Sequence, residues 1–410
     1  MSTNATPIAR QSIGFVEFLI MAASLMACQA LAIDAMLPAL PTIADALQVD
    51  NANHVQWVVT AYVAGMGCGQ LFWGMLSDRF GRRPVLITGL TLYVIAALLA
   101  GFSNSFVSLL SWRFVHGLAG ACVVVSRSVI RDLYSGREMA RVMSLTFIIF
   151  IMVPVMAPTL GQVILQIWPW RSLFMLFSIY GAIVVTWVTL RLPETLHPEY
   201  RLSLTIVHVA ESAKKVIRDR ASVCYTLAVS VIFGSMIGYI GMVQQIFSDV
   251  FHRPELMPSI FAICAGSMGV TSFINSRIVE RMGMRRISQT GLLLFIALSG
   301  THAVVADLGL ETMVSFVILQ AATMSCMGLM VSNFGTMAME SMASVAGIAA
   351  SFQGFVSTAG GALVGALIGR QFNGSTAPLA TGATLCGCIA LSCVLMAERG
   401  RLFRPHYITS

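Results

Sequence analysis

Twelve apolar stretches, each about the length that crosses a bilayer, fill almost the whole chain. They run over 14–37, 54–76, 84–102, 107–128, 142–166, 171–191, 222–247, 257–277, 286–306, 312–335, 344–369 and 376–397. A spanning helix needs roughly 20 apolar residues. Of the 410 residues, 57% are hydrophobic and only 10% charged. The mean hydropathy is +0.81. Soluble chains average about 25% charged residues, and no soluble core buries this much apolar side chain. The solvent of this chain is lipid. The expected fold class is an all-α membrane protein of twelve transmembrane helices in two six-helix, pseudo-symmetric halves.

The loops are short except for 193–220, which holds Pro193, Glu194, Pro198, Arg201, Lys214, Lys215, Arg218 and Arg220. That stretch is read as a cytoplasmic linker between an N-terminal half, 1–192, and a C-terminal half, 221–410. The net charge of +7 is not a nucleic-acid signal, because its positions follow membrane topology. With the N-terminus inside, twenty of the 25 lysines and arginines fall in cytoplasmic segments and only Arg171, Arg253 and Arg370 outside. This is a strong positive-inside bias. It predicts a multi-pass membrane protein with both termini in the cytoplasm.

The halves repeat. Leu76 to Pro84 follows the second stretch, and Ile278 to Arg286 follows the eighth. At an offset of 202 residues Asp78 meets Glu280, Arg79 meets Arg281, Gly81 meets Gly283, Arg83 meets Arg285 and Gly89 meets Gly291. Parallel repeats of this kind build transporters, with the substrate between the halves near the midplane.

Several classes are excluded or left without support. There is no nucleophile elbow, no phosphate-binding glycine loop and no His/Cys metal pattern, so no enzyme, no metal and no cofactor is expected. The energy source is then the proton gradient. The nine cysteines all fall inside apolar stretches and read as inert buried thiols. No cleavable signal peptide is evident: the first apolar run is too long for one.

Gly74-Met-Leu-Ser-Asp78-Arg79-Phe-Gly81-Arg82-Arg83-Pro84 is a glycine-rich basic turn. Gly74 allows close helix approach and Gly81 a tight turn. The segment resembles the signature loop of the major facilitator superfamily. Three further segments narrow the likeness. Ala32-Ile-Asp34-Ala-Met-Leu-Pro38-Ala-Leu-Pro41 resembles the acidic first-helix motif of twelve-helix drug/proton antiporters. Trp112-Arg113-Phe-Val-His116-Gly117 continues to Ser126-Arg127-Ser-Val-Ile-Arg131-Asp132-Leu-Tyr134, which is similar to the bicyclomycin-resistance/chloramphenicol-efflux (Bcr/CflA) group. Pro154, Pro158 and Gly161 resemble the antiporter motif of the fifth helix, although Ala157 and Gln162 stand where that motif has glycines. The resemblance implies that Gly74, Asp78, Arg79, Gly81, Arg82 and Arg83 form a conformational latch. Asp78 would sit at a neighbouring helix N-terminus, and Arg82 would pair an acid after the fourth span, for which Asp132 is the candidate. In the second copy Ser276 and Met284 depart from the pattern, so a weaker latch is expected there.

The deep charges come next. Asp34 and Arg113 fall at comparable depth in oppositely directed helices. An intramembrane acid is costly and usually lies on an ion or substrate pathway. A proton-carrying Asp34 coupled to Arg113 and a static ion pair are both open readings. The resemblance implies proton and substrate coupling for them. Arg127 fits snorkelling in the cytoplasmic gate or substrate contact, Glu17 an interfacial site or an inner relay, and His116 helix packing or a proton relay. The second half offers no acid well inside a span; Asp249, Asp307 and Glu311 read as outside it. Proton chemistry is therefore expected in the first half. Asp34, Tyr62, Arg113, Tyr239, Phe352 and Gln353 are candidates to line the substrate cavity.

The expected function is proton-coupled efflux of small amphipathic antibiotics or toxic compounds, by rocking of two halves in a monomer. The partners are then a small molecule, protons and the bilayer. The alternative is a proton-coupled exporter of a metabolite such as an amino acid or sugar derivative. A sensor or membrane enzyme on the same scaffold would need an output domain or catalytic cluster.

Overall fold

The computed structural model describes residues 13–134, 136–197, 199, 206–342 and 345–403. Arg10, Pro198, Arg201 and Arg404, used above in reading linker and topology, lie outside the described residues. The described chain is helical, without strands. It divides into two compact units, Met1–Val209 and Ala210–Ser410.

The first unit holds α1 (Phe15–Asp34), α2 (Leu40–Ala46), α3 (Trp57–Phe80), α4 (Arg82–Gly101), α5 (Phe106–Gly120), α6 (Val124–Leu133), α7 (Gly136–Ile167) and α8 (Arg171–Arg191). Two of the apolar spans are broken. The first breaks at Asp34, where α1 gives way to a short 3-10 turn, Leu37–Ala39, and then α2. Pro38 has no N–H to bond the carbonyl four residues back, which is that of Asp34, so an α-helix cannot run through. The fourth span breaks between α5 and α6 at the 3-10 turn Ala121–Val123. Gln29 Nε2 donates to the freed Gly120 carbonyl at 3.0 Å. In hydrocarbon such backbone groups need partners of this kind.

Small residues let α3 and α5 meet closely. A Cβ on Gly117 would overlap the Tyr62 carbonyl, and one on Gly65 the Phe114 carbonyl. Trp73 Nε1 donates to the Leu118 carbonyl at 2.6 Å across the same seam. This is close packing of the kind that drives helix association in lipid.

The second unit holds α9 (Ile206–Arg218), α10 (Arg220–Gln245), α11 (Met257–Met282), α12 (Met284–Asp307), α13 (Met313–Met339), α14 (Ala346–Gly369) and α15 (Ala377–Ala397). The stretch read as a linker thus contains a helix, α9, most of which lies in this unit and whose first turn precedes Ala210. It buries Val216 with Met342 and Ala349, and exposes Lys214, Lys215 and Arg218. Asp219 caps α10 by accepting from Ser222 N at 2.7 Å. The α10–α14 seam is again built on small residues, Gly234 and Gly238 facing Gly361 and Gly365.

By length and composition ten helices among the described residues are apolar enough to cross a membrane, and Met152–Ile167 is a shorter apolar segment. With α3 and α7 included, each unit contributes six long spans, in keeping with the twelve-helix expectation.

Candidate functional site

The site begins with Arg113 on α5. Its side chain is fully buried, with no exposed surface. A guanidinium is always a donor and never titrates in the working range, so its burial is tolerable only if acceptors surround it. Nε donates to the Val58 carbonyl at 3.0 Å and Nη2 to the Ala32 carbonyl at 3.0 Å. Nη1 lies 3.3 Å from His116 Nδ1. The guanidinium carbon sits 4.5 Å from the centre of the Tyr62 ring, a favourable cation–π distance. Since Arg113 can only donate, His116 Nδ1 accepts. The ring is then held as the neutral tautomer with its hydrogen on Nε2. Among the described residues, that Nε2 and the neighbouring Tyr62 hydroxyl are both buried without a hydrogen-bond partner.

Asp34 is 5% exposed and is the last residue of α1. The directly bonded Asp34–Arg113 pair allowed for by the sequence is not present in this arrangement. Arg113 is taken instead by the carbonyl of Ala32, two residues earlier on α1. The reason is geometric: α1 stops at Asp34, and the carbonyls near its end point onward as free acceptors. Among the described residues nothing donates to the Asp34 carboxylate. Arg113 therefore reads the backbone beside Asp34 rather than its charge.

The motif on α7 meets the same turn. Pro154 and Pro158 lie inside α7. Gly161, one turn on, packs so closely that a Cβ there would overlap the Ala35 carbonyl. Asp34, Arg113 and Gly161 therefore converge on one break in the first span. Around them Tyr93 hydroxyl donates to the Cys28 carbonyl at 3.0 Å, and Tyr180 hydroxyl to the Ser24 carbonyl at 3.0 Å. Gln29, Tyr93 and Tyr180 were missed in the sequence, because a side chain bonding a distant carbonyl leaves no pattern.

At the signature turn, Arg82 is buried and donates through Nη1 to Asp78 Oδ1 and Ser77 Oγ, the latter at 2.8 Å. Its Nε donates to Asp132 Oδ2 at 2.9 Å. Gly81 adopts φ 103°, which a residue with a Cβ rarely accepts. The space beside it holds Glu194. The Glu194 carboxylate accepts from Arg82 N at 2.9 Å and Arg83 N at 3.3 Å, and from Thr195 N and Leu196 N, each at 2.9 Å. At the start of α4 the acid bonding the helix N-terminus is Glu194, while Asp78 turns to Arg82. Gly74 lies beside this cluster and its carbonyl accepts from Ser77 Oγ at 2.8 Å. Arg83 Nη2 reaches the Thr189 carbonyl at 2.6 Å. Arg79 is exposed over the Phe80 ring.

Glu17 makes a two-pronged bond to Arg191, at 2.7 and 2.8 Å, with Trp187 Nε1 at 3.2 Å. It joins the start of α1 to the end of α8. Arg127 is exposed on α6 and makes no bond among the described residues.

The remaining cavity candidates belong to the second unit. Tyr239 is buried and stacks on Phe261. Gln353 Nε2 donates to the Gly335 carbonyl at 3.1 Å. Phe352 packs against the Val216–Met342–Ala349 cluster. Near the second signature turn Arg285 joins Glu340 at 2.8 Å and Glu398 at 2.7 Å. Glu311, read above as lying outside the spans, has a buried side chain. It contacts the buried His302 at 2.6 Å, because the α12–α13 connection folds back over the helix end.

Comparison with known proteins fits this architecture. The chain is 29% identical over 368 residues to a bicyclomycin resistance protein homolog of Haemophilus influenzae, covering 88% of this chain and 90% of the relative. It is 30% identical over 398 residues to the multidrug resistance protein MdtL of Shigella dysenteriae, covering 95% and 98%. Among solved structures, a peptide transporter POT in complex with sulfate superposes with a TM-score of 0.75 at 13% identity, covering 97% of this chain and 99% of that one. The xylose transporter XylE of E. coli superposes with a TM-score of 0.71 at 12% identity, covering 96% and 99%. These are transporters, not enzymes. With the family model for the Major Facilitator Superfamily matched over residues 22–397, the chain belongs to that superfamily and is a transporter of small molecules in a membrane.

Proposed function

We propose that this transporter is a proton-coupled multidrug exporter of the bicyclomycin-resistance/chloramphenicol-efflux group. It acts by alternating access in the bacterial cytoplasmic membrane, with both termini in the cytoplasm. The observation that carries the reading is the Asp34 carboxylate. It is buried at a helix break, without a bonding partner among the described residues, and the break is seated on Gly161 of the α7 motif. A buried acid not committed to a salt bridge is free to exchange a proton. Arg113 fixes the turn beneath it by bonding Ala32, so a movement of α5 or α7 is transmitted to the environment of the carboxylate. The resistance names of the two relatives support a toxic cargo.

The test is a susceptibility panel in a pump-deficient bacterial host, with and without this chain. Raised resistance to several chemically unrelated compounds, lost in Asp34→Asn at equal membrane expression, is the expected result. Drug-driven proton movement in vesicles must vanish with the same variant. Resistance to nothing on the panel, or wild-type proton movement in Asp34→Asn, would overturn the reading.

A further inference from the structure

The geometry points to His116 as a positioning residue, a neutral acceptor that holds the Arg113 guanidinium against the Ala32 carbonyl, two residues before Asp34. Its consequence for transport rests on the function proposed above; the state of the ring does not.

His116 and Arg113 are both fully buried on α5, three residues apart. That spacing brings side chains of successive turns together. Arg113 has three nitrogens to satisfy. Nε takes the Val58 carbonyl of α3, and Nη2 takes the Ala32 carbonyl of α1. Nη1 remains, and the acceptor at 3.3 Å is His116 Nδ1. Without it a charged N–H is buried unpaired, which is costly. Two contacts along one edge would also leave the planar group free to swing about that edge. The third contact, from its own helix, fixes its orientation.

The ring is itself held in place. Tyr62 of α3 meets it edge-on with centroids 5.1 Å apart, Tyr93 of α4 lies tilted at 4.2 Å, and Phe177 of α8 stacks at 6.1 Å. Gly117, the next residue, rests on the Tyr62 carbonyl. The seam that seats the histidine is therefore the seam that carries the arginine.

A proton relay does not fit this arrangement. A relay takes a proton at one ring nitrogen and releases one from the other. Here Nδ1 faces a guanidinium, which only donates and holds its protons throughout the working range. Nε2 has no bonding partner among the described residues. The ionisable groups around the ring are Arg113 on its own helix, Tyr62 on α3 and Tyr93 on α4, with Cys28 of α1 and Cys122 of the 3-10 turn beside Tyr62. Asp34 makes no bond to the ring among the described residues. The imidazole keeps its hydrogen on Nε2 and works as a fixed acceptor.

Packing, relay and positioning ask for different side chains at 116. His116→Phe keeps a ring among Tyr62, Tyr93 and Phe177 and removes the acceptor. His116→Asn loses the ring but places an amide oxygen where Nδ1 stands. In proteoliposomes of the full-length protein, drug transport should fall about tenfold or more in His116→Phe, the scale of one hydrogen bond to a charged group, and stay within about threefold of wild type in His116→Asn. Wild-type transport in His116→Phe, or a loss in His116→Asn as deep as in His116→Phe, overturns the assignment. A second measurement needs no variant. Solid-state NMR of full-length protein in nanodiscs, with isotope-labelled histidine and arginine, reads the ring in contact with the Arg113 guanidinium. That ring should stay neutral, with its hydrogen on Nε2, from about pH 5 to 9, where an ordinary histidine changes charge. Hydrogen on Nδ1, or charging of that ring within the range, overturns the assignment whatever the protein exports.

Discussion

Gly161 of α7 rests directly on the carbonyl of Ala35, the residue after Asp34. The proline-bearing helix and the break that presents the acid are therefore one mechanical element. Pro158 leaves the carbonyl four residues before it, that of Pro154, without its helical bond, and Pro154 does the same to the turn before. Bending of α7 is cheapest there, and Gly161 carries the bend onto the first span. Gly161→Ala should cost about 1–3 kcal/mol, since the colliding atom is backbone and cannot rotate away. Transport should fall further than the loss of stability accounts for. Gly266→Ala on α11 is the control. A Cβ there meets nothing within 4 Å, and the change should be neutral or slightly stabilising. Thermal midpoints and transport rates of the two variants decide the matter; equal behaviour removes the mechanical role.

Arg113 anchors three elements through backbone carbonyls rather than through a carboxylate. Arg113→Lys keeps the charge but has no planar fork to reach Val58 and Ala32 together. Each buried carbonyl left without a donor costs about 1–3 kcal/mol. Arg113→Lys should therefore lower the thermal midpoint nearly as much as Arg113→Gln, and both should abolish drug-driven proton movement. Full stability in Arg113→Lys would show that charge alone matters at this position.

The sequence exposed what is written in contiguous residues. Asp78, Gly81, Arg82 and Arg83 stand within six positions, so their turn was legible, and Asp132 followed from the resemblance. Glu194 was not legible, because 112 residues separate it from the amide it accepts. It stood in a stretch read only as linker. The helix breaks at Asp34 and Gly120 were hidden inside continuous apolar runs, which report burial in lipid but not whether one helix or two supply it. Arg113 was legible as a costly charge, yet its partners are carbonyls, which every residue carries. Comparable depth suggests a place beside α1, but depth cannot choose between a side chain and the backbone two residues earlier. His302 and Glu311 meet only because a loop folds back, and hydropathy marks such a loop as exterior.

Glu194 gives the third prediction. Its carboxylate satisfies two amides at the turn entering α4, those of Arg82 and Arg83, and two of its own loop, those of Thr195 and Leu196, and it sits at the positive end of α4. Glu194→Ala leaves those amides to water and should destabilise the first half by about 1–2 kcal/mol. Glu194→Gln retains an acceptor and should cost roughly half as much. Substrate affinity in detergent should change less than turnover, since the turn lies far from Asp34. Unchanged turnover in Glu194→Ala would limit this residue to a local cap.

The second half solves the corresponding problem with a shifted arginine. Met284 stands at the repeat position of Arg82, and Arg285 takes the bridging role, reaching Glu340 and Glu398. The Tyr225 hydroxyl donates to Glu398 at 2.5 Å, so that carboxylate joins α10, α12 and the end of α15. Glu398 is 6% exposed at its side chain and Glu340 43%. Burial decides which bond carries weight: exposed pairs contribute about 0–1 kcal/mol, while breaking a buried one costs about 3–5 kcal/mol. Glu398→Gln should therefore lower the stability of the second half far more than Glu340→Gln. A double-mutant cycle of Arg285 with each acid, read by thermal unfolding in nanodiscs, should return the larger coupling for Glu398. The wall formed by α10, α12 and α15 should loosen in Glu398→Gln, with a matching loss of transport. Equal couplings would mean that Arg285 is held by charge at the membrane surface, and that this half lacks a buried latch of its own.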